Sequence, residues 1–552
     1  MSLYNISQGL VDMAARAPFR PGIILPAGRD NHGRSKFTQL SFRQLNDLCD
    51  RYAHGLSKHG IVKGQRVLLL IRPGTELIAV TFALMKIGAV PVLIDPGMGL
   101  KAFLQCVSEA APEAMIAIPI AHLIRRLFSK SFKTVQRTVT VGKRRFPGTV
   151  ELEQICPEQY APFPVAETTL EEEAAIAFTS GGTGIPKGVL YLQGMFQEVI
   201  RAMREDLDMA EGEVHLAAMY IFALFNPALG VTTVIPDMDA RKTAQVNPAY
   251  LVEAILTHGV TLSMGSPTIW KKVNRYCLDN DIRLPSVKHI FIFGAPVAPT
   301  VIRALSEVLD GGMVCTPYGA TEALPITTID HSELLGETAE KTENGAGVCV
   351  GKPVSGVRLR IIPISDDVIE TWDEQMALPP GQVGEVVVTG TMVTHEYLNR
   401  PEETAKAKIY AADSVWHRMG DIGYLDDAGR LWFCGRKAHR LETNEGLMLP
   451  VPCESIFNQH PKVARTALVG LGKYGEQRPV LAVELLPEHA KANNVARQTI
   501  IEELRALGAK HEHTRAIQAF LFHPSFPVDV RHNAKIQRQK IAAWAEKRLA
   551  KR

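Results

Sequence analysis

Short apolar runs alternate with amphipathic stretches of helical spacing through most of the chain, a pattern typical of α/β proteins. The run RVLLLI (66–71) predicts a buried strand, residues 76–90 predict a helix, and residues 91–95 predict the next strand. Further core strands are predicted at 175–180, 261–265 and 289–294. Each of them leads into a loop containing Gly or Pro, and ligands bind at such strand ends in open α/β sheets.

The pattern changes beyond Val383, where GEVVVTG and then GYLDDAGRLWFCG have the alternation of β-hairpins, with Asp-Ala-Gly in a turn. After Gly435 a smaller unit follows, with apolar strands at 466–471 and 479–486, a helix at 497–507 and a basic C-terminal helix. We therefore predict an α/β fold with a large N-terminal domain of packed mixed sheets flanked by helices, residues 1–435. A small mobile α+β C-terminal domain, residues 436–552, is predicted to follow it.

Composition narrows the class of protein. Of the 552 residues 46% are apolar and 22% are charged, and 61 Lys and Arg stand against 58 Asp and Glu. Because basic and acidic residues are nearly equal in number, there is no electrostatic reason to expect nucleic acid as a partner. Eight scattered cysteines without a C-x-x-C pair predict buried thiols in a reducing cytoplasm. The N-terminus lacks the features of a secretory signal, and Pro, Gly and Asn interrupt the longest uncharged stretch, 216–236, so no transmembrane segment is predicted.

Residues 120–146 form a basic segment that contains eight Lys and Arg and no acidic residue. Most segments of this kind are solvated faces. The alternative is a surface that meets a membrane or an acidic partner protein, which would make the protein cytoplasmic but peripheral to a membrane.

The strongest chemical signal is a loop rich in Gly, Ser and Thr that follows the predicted strand 175–180 and ends in a lysine. Consecutive glycines let backbone N–H groups turn toward one anion, hydroxyls add donors, and the lysine adds a positive charge. The spacing fits neither a Walker A loop nor a G-x-G-x-x-G turn. The predicted phosphate-binding residues are Thr179, Ser180, Gly181, Gly182, Thr183, Gly184 and Lys187.

T-S-G-G-T-G-x-P-K-G resembles the phosphate-binding motif of the adenylate-forming superfamily, which includes acyl-CoA synthetases, luciferases and nonribosomal-peptide adenylation domains. Gly182 stands where that motif usually has Thr. Other motifs of the superfamily follow in order, so the resemblance covers nearly the whole chain. It implies ATP and Mg²⁺ as cofactors. It further implies an adenine-binding loop at Gly294, Ala295 and Pro296, an aromatic packing on adenine at Tyr318 with Gly319 beside it, an α-phosphate contact at Thr321, a Mg²⁺ ligand at Glu322, ribose contacts at Asp421 and Arg436, and a catalytic lysine at Lys535.

The chain differs from the acyl-CoA synthetases at positions that concern the step after adenylate formation, in which those enzymes admit the thiol of CoA. In F-A-L-F, Ala223 stands where many of them have His, and in G-R-K-A-H-R, Ala438 replaces the usual hinge pivot. These segments, with P-C-E-S-I-F-N-Q-H-P (452–461), resemble the β-lactone synthetases of bacterial long-chain olefin biosynthesis. That resemblance implies activation of a 2-alkyl-3-hydroxy fatty acid as its adenylate and ring closure by its own hydroxyl. It also implies pathway enzymes as potential partners, namely a reductase, a β-lactone decarboxylase and a thiolase-like condensing enzyme.

Some assignments stay open at this point. The hydroxyl proton can go to His439, placed by analogy, or to the phosphate of the leaving AMP. The alternatives to ring closure are a long-chain acyl-CoA ligase, a stand-alone acyl-AMP ligase, and a nucleotide-binding protein that has lost catalysis. By analogy, the apolar pocket for the alkyl chains is predicted at Met219, Phe222, Ala223, Phe225 and Met264.

Overall fold

The computed structural model describes residues 4–142, 146–179, 186–239, 242–295, 297, 299–528 and 535–550. In chain order the strands are β1 Pro21–Arg29, β2 Ser35–Ser41, β3 Arg66–Leu70, β4 Val90–Leu93, β5 Ala114–Ala117, β6 Arg137–Thr140, β7 Val150–Glu151, β8 Glu173–Phe178, β9 Gly188–Leu192, β10 Val214–Leu216, β11 Thr232–Val234, β12 Leu262–Gly265, β13 His289–Ile292, β14 Met313–Cys315, β15 Tyr318–Ala320, β16 Ala323–Thr328, β17 Val348–Pro353, β18 Arg358–Ile362, β19 Gly384–Thr389, β20 Lys408–Tyr410, β21 Val415–Leu425, β22 Leu431–Arg436, β23 Leu441–Thr443, β24 Gly446–Met448, β25 Val463–Leu471, β26 Arg478–Leu485 and β27 Ala519–Phe522.

The helices, again in chain order, are α1 Ser7–Arg16, α2 Phe42–Lys58, α3 Thr75–Ile87, α4 Leu100–Ala110, α5 Pro119–Leu127, α6 Leu152–Ile155, α7 Gln193–Glu205, α8 Tyr220–Ala223, α9 Asn226–Leu229, α10 Pro248–His258, α11 Pro267–Asp279, α12 Pro299–Val308, α13 His331–Leu335, α14 Glu337–Glu343, α15 Pro401–Ala407, α16 Pro450–Phe457, α17 Asn494–Gly508 and α18 Arg538–Leu549. Short 3₁₀ turns connect several of them, and one of these, Lys437–His439, lies in the predicted hinge.

Three large sheets make up the N-terminal part. Two are mainly parallel, in the orders β14-β13-β12-β10-β11-β1-β2 and β7-β6-β5-β3-β4-β8-β9, each with one antiparallel pair at an edge. The third is antiparallel, in the order β15-β16-β17-β22-β21-β19-β18, with β20 paired to β21. A small sheet, β25-β26-β27, lies near the C-terminus. The predicted mixed sheets flanked by helices and the C-terminal α+β unit are thus confirmed, whereas the boundary at residue 436 stays a prediction.

Helix α3 illustrates how burial shapes the core. From Leu77 to Ile87 every residue of this helix is buried, because it packs between α2 and the first parallel strands. Its one buried cation, Lys86, pairs with Asp50 of α2 and donates a 2.7 Å hydrogen bond to Asn46 Oδ1. Helix α2 begins at a capping box formed by Ser41 and Gln44. The charge of Lys86 can be buried because a carboxylate partner and a hydrogen bond accompany it.

The predicted core strands and the predicted hairpin are found where the pattern indicated them. The apolar runs 66–71, 91–95, 175–180, 261–265 and 289–294 correspond to β3, β4, β8, β12 and β13. All eight cysteines are buried and free of disulfides, as predicted. No helix in the described ranges is long and apolar enough to span a bilayer.

Candidate nucleotide and acyl site

Pairing of β21 with β22 brings together two of the predicted nucleotide-binding residues. Asp421 lies opposite Arg436 across these strands, and the Arg436 guanidinium donates a 2.8 Å hydrogen bond to Asp421 Oδ1. The other carboxylate oxygen, Oδ2, accepts a 2.5 Å hydrogen bond from the Tyr318 hydroxyl. Burial and the Asp421 carboxylate raise the pKa of Tyr318 well above its ordinary value, so this phenol stays a donor. Both oxygens of a nearly buried carboxylate are therefore held in a fixed orientation.

A second carboxylate, that of Glu322, lies at the turn between β15 and β16. Its Oε1 accepts a 2.5 Å hydrogen bond from the Tyr397 hydroxyl, and its backbone carbonyl accepts a 2.9 Å bond from the Thr394 amide. Gly319 is required in this hairpin, because a Cβ there would lie 2.6 Å from the carbonyl oxygen of Ala323. The backbone carbonyl of Thr321, next to Glu322, accepts a 2.6 Å hydrogen bond from the Tyr191 hydroxyl. The turn that carries Glu322 is therefore anchored from two directions.

The predicted phosphate loop lies partly outside the described residues, which exclude Ser180, Gly181, Gly182, Thr183 and Gly184. Its two ends are described. The Thr179 amide donates to the Lys187 carbonyl at 3.0 Å, and the Lys187 amide donates to Thr179 Oγ1 at 3.1 Å. Lys187 Nζ lies 4.4 Å from the centroid of the Tyr397 ring, a cation–π distance. The lysine that ends the loop thus contacts the tyrosine that holds Glu322.

Lys408, a lysine that none of the motifs predicted, lies near Tyr397, with its Nζ 6.0 Å from the centroid of the ring. It is 1% exposed, at the start of β20, and donates hydrogen bonds to the carbonyl and hydroxyl oxygens of Thr394. Burial lowers the pKa of Lys408 to about 7, opposed by attraction to Glu322 and reinforced by repulsion from Lys187. The next strand places His417 opposite it, where burial and Lys408 lower the pKa of His417 well below 6.5.

We expect the buried ammonium of Lys408 to make stability depend on pH. The unfolded side chain has a pKa near 10.4, so between pH 7 and pH 10 the unfolded state binds more protons and stability rises with pH. From pH 6 to pH 9 this effect amounts to about 2–3 kcal/mol. Calorimetry across this range measures the melting temperatures of the wild type and Lys408→Met. The melting temperature of the wild type, relative to that of the variant, should rise as pH rises.

The matched control for this measurement is Lys406→Met, which removes an exposed lysine two residues earlier. Its melting temperature should follow that of the wild type at every pH. A constant difference between wild type and Lys408→Met from pH 6 to pH 9 would contradict a lowered pKa for Lys408.

The predicted acyl-pocket residues do not all face the same region. Met264 is buried in one core cluster, against which Met219, Phe222 and Phe225 pack as partly buried side chains. Tyr318 and Ala320 of the β15 hairpin pack on the same cluster. Phe225 contacts Phe196, which contacts Tyr191, the residue whose hydroxyl binds the Thr321 carbonyl. Ala223 is different, because it is buried in a separate cluster with residues of α1, α2 and α3. The turn of α8 points it away from its neighbours Phe222 and Phe225.

The predicted adenine loop follows β13. Gly294 has φ +97°, a left-handed conformation that favours glycine, and its neighbour Ala295 is half-buried. Pro296 lies outside the described residues. The preceding Phe293 stacks on Phe222, with ring centroids 5.0 Å apart. This stack links the start of the loop to the apolar cluster.

His439 ends the 3₁₀ turn Lys437–His439 and is half-buried. Burial and the positive charges of Arg538 and Arg436 lower its pKa to about 4. The imidazole is therefore neutral at pH 7 and has an accepting nitrogen, although a pKa of about 4 makes it a weaker base than a free histidine. Lys535 is half-buried and lies three residues before Arg538.

Glu454, in the P-C-E-S segment of α16, fixes the start of α18. Its carboxylate pairs with the Arg538 guanidinium and also accepts a 2.7 Å hydrogen bond from the Leu468 amide. Arg538 in turn donates a 3.2 Å bond to the Leu468 carbonyl. The segment in which Lys535 lies is therefore anchored to α16 and β25 at its C-terminal side.

Ion pairs hold the predicted hinge against the antiparallel sheet of the N-terminal part. Lys437 Nζ lies 3.0 Å from Oε1 of Glu385, a β19 residue whose side chain is 1% exposed and also pairs with Arg418. Arg440 pairs with Asp366, which follows β18. The chain after Gly435 is thus tied to the N-terminal part through Lys437 and Arg440.

The site fits Mg²⁺ only when substrate phosphates complete the coordination. Among the side chains that the structure describes, no group of three or more His, Cys, Asp or Glu residues is placed to hold a metal ion. Mg²⁺ is commonly bound by one or two carboxylates together with phosphate oxygens and water. Glu322, oriented by Tyr397 and lying near Lys187, is a suitable carboxylate for such a shared site.

Comparison with known proteins gives the class of enzyme to which this α/β fold belongs. Residues 23–398 match the family described as AMP-binding enzyme, to which the chain belongs. Its fold is similar to that of the anthranilate CoA ligase AuaEII in complex with anthranoyl-AMP, with a TM-score of 0.78 and 17% identity over 99% of this chain and 98% of that one. At such low identity the likeness concerns the fold alone.

Two proteins are similar to the chain at much higher identity. The olefin β-lactone synthetase of Xanthomonas campestris pv. campestris is 44% identical over 99% of this chain and 98% of its own length. That of Stenotrophomonas maltophilia is 43% identical over 99% of both chains. The resemblance found in the motifs is thereby confirmed at the level of the whole chain.

Tyr397, Thr394 and Lys408 are the site residues that the sequence patterns did not predict. They lie between the end of β19 and the start of β20. Thr394 and Tyr397 are 72 and 75 residues from Glu322 in the chain, and Lys408 is farther away. The sequence held an indication for Lys408 alone, because this lysine directly precedes the apolar residue Ile409 in a short strand. Tyr397 and Thr394 bind Glu322, Lys408 binds Thr394, and only the fold brings these contacts about.

Proposed function

We propose that the protein is an ATP-dependent olefin β-lactone synthetase. It activates a 2-alkyl-3-hydroxy fatty acid as its acyl adenylate and closes the acid to a β-lactone, with release of pyrophosphate and AMP, in long-chain olefin biosynthesis. The proposal is supported by whole-length similarity to two proteins of that name and by the membership of the chain in the AMP-binding enzyme family.

The observation that carries the proposal is that apolar side chains of the predicted acyl pocket and residues of the β15 hairpin pack on one core cluster. Met219, Phe222 and Phe225 pack on the same cluster as Tyr318 and Ala320, immediately before Thr321 and Glu322. A carboxyl group at the end of an alkyl chain bound there would meet the polar residues of the β15 hairpin. Burying alkyl chains contributes roughly 0.8 kcal/mol per methylene before entropy costs, so an apolar wall of this kind dominates substrate binding.

In the first step, a carboxylate oxygen of the acid attacks the α-phosphorus of ATP, and the bond to the departing pyrophosphate breaks. Both reactants are anionic, so positioning and charge neutralisation supply most of the catalysis. Lys187 and Lys535 provide positive charge, Thr321 contacts the α-phosphate, and Asp421 with Arg436 holds the ribose. Mg²⁺ on Glu322 would neutralise phosphate charge when bound.

In the second step, the 3-hydroxyl oxygen attacks the acyl carbon of the adenylate, and the bond from that carbon to the AMP oxygen breaks. The hydroxyl proton goes to His439 or to the AMP phosphate. Because the nucleophile belongs to the substrate, tethering replaces the capture of a second molecule. This agrees with Ala223 at the position where many acyl-CoA synthetases have histidine. We also place the boundary of the domains at residues 435 and 436 and assign movement of the C-terminal unit to it.

The protein with ATP, Mg²⁺ and a synthetic 2-alkyl-3-hydroxy acid is expected to give a β-lactone and one AMP per product in the absence of CoA. Proton NMR detects the strained ring, and nucleotide analysis counts AMP. The matched control substrate is the same 2-alkyl acid without the 3-hydroxyl, which should form an adenylate but no lactone. A thioester that forms only when CoA is present would overturn ring closure in favour of an acyl-CoA ligase.

A further inference from the structure

Helix α5 (Pro119–Leu127) exposes its apolar side. Ala121 and His122 face the interior and are 5% and 0% exposed. Ile120, Leu123 and Leu127 are 58%, 41% and 67% exposed. Residues spaced by three, four and seven lie on one face of a helix, so these three aliphatic side chains form a single outward stripe. A surface helix normally directs such a stripe into the core.

Exposed basic residues lie beside this stripe and after its C-terminal end. Arg126, Lys130 and Lys133 are exposed on α5 and on the turns that follow it, and Phe128 is 38% exposed beside them. Residues 120–146 contain no acidic residue, whereas the chain as a whole has nearly equal numbers of acidic and basic residues. The apolar stripe and the cations therefore belong to one surface, which we call the α5 face: Ile120, Leu123, Arg126, Leu127, Phe128, Lys130 and Lys133.

We propose that the α5 face docks on an anionic lipid surface. Helices that lie in a membrane interface combine apolar side chains on one side with Lys and Arg along the edge, where the cations meet headgroup phosphates. An acidic protein would match the cations, but it would also need a groove to receive aliphatic side chains that project from a convex helix. A lipid leaflet supplies the negative charge and the apolar layer together, without requiring a groove.

Sedimentation with lipid vesicles tests this inference without any use of catalysis, so it does not depend on the proposed function. The full chain is mixed with vesicles of phosphatidylcholine containing one-third phosphatidylglycerol, and with vesicles of phosphatidylcholine alone. We expect the wild type to bind the anionic vesicles, and to do so less as salt is raised. The double variant Leu123→Gln/Leu127→Gln should bind them at least about tenfold more weakly.

The matched control is Val495→Gln, which removes an aliphatic side chain that is 76% exposed on α17. It should bind anionic vesicles as the wild type does. Circular dichroism and the melting temperature verify that the double variant is folded, as expected for exposed positions. Failure of the wild type to bind, equal binding by the double variant, or equal binding to neutral vesicles would overturn the proposal. The proposal would also be overturned if the wild type is a dimer and the double variant is a monomer, because the α5 face would then contact a second copy.

Discussion

Replacing Glu322 by glutamine is expected to slow adenylate formation by about 100- to 1000-fold, the range seen when a single electrostatic contact to a transition state is removed. The substitution keeps the size of the side chain and an oxygen for the Tyr397 hydroxyl, but it removes the negative charge that a phosphate-bound Mg²⁺ requires. Pyrophosphate release, followed with saturating ATP and a 2-alkyl-3-hydroxy acid, measures the effect.

Tyr397→Phe is the comparison for this variant. It retains the ring beneath Lys187 and the charge of Glu322, and it removes only the hydroxyl that orients the carboxylate. We expect a loss of about tenfold, corresponding to one hydrogen bond to a charged group. If Glu322→Gln releases pyrophosphate as fast as the wild type does, Glu322 has no part in the first step.

Lys535→Ala is expected to abolish most of the first half-reaction, by about 100- to 1000-fold, while ATP still binds. The lysine would contribute its charge only when carboxylate and α-phosphate meet, whereas nucleotide affinity would depend on residues such as Asp421 and Arg436. Pyrophosphate release reports the step, and titration with a non-hydrolysable ATP analogue reports binding.

Lys540→Ala serves as the matched control, since it removes an exposed lysine from the same C-terminal segment. It should leave both measurements unchanged. Equal pyrophosphate release by Lys535→Ala and the wild type would refute the catalytic assignment, and a parallel loss of nucleotide binding would assign Lys535 to affinity instead.

The sequence was sufficient for the parts of the fold that local pattern controls. The buried strands β3, β8 and β13 are continuous apolar runs because both faces of a parallel sheet are covered. The β21–β22 hairpin was predicted from its turn residues. Its register, however, is what sets Asp421 opposite Arg436, and no motif specifies a register.

The site was predictable only as far as motifs reach. Tyr318, Asp421 and Arg436 were predicted separately, and the fold joins them in one hydrogen-bonded group. Lys408 escaped prediction because burial of a lysine depends on what surrounds it, and Thr394 and Glu322 are distant in sequence. Ala223 was predicted with Phe222 and Phe225, but it is buried in a different core cluster from the one on which those two residues pack. The middle of the phosphate loop lies outside the described residues, so its role stays a prediction.

The contacts of Lys437 and Arg440 bear on how the catalytic cycle is organised. Swinging the C-terminal unit about residues 436–440 would separate Lys437 from a nearly inaccessible Glu385, and Arg440 from Asp366. Such a swing is useful to an enzyme that must open a channel for a bulky thiol between its two chemical events. A catalyst whose second attacking atom is already attached to the bound acid needs no such swing between the two events. Movement of the C-terminal unit would then serve substrate entry and product release, and these ion pairs could persist through the chemistry.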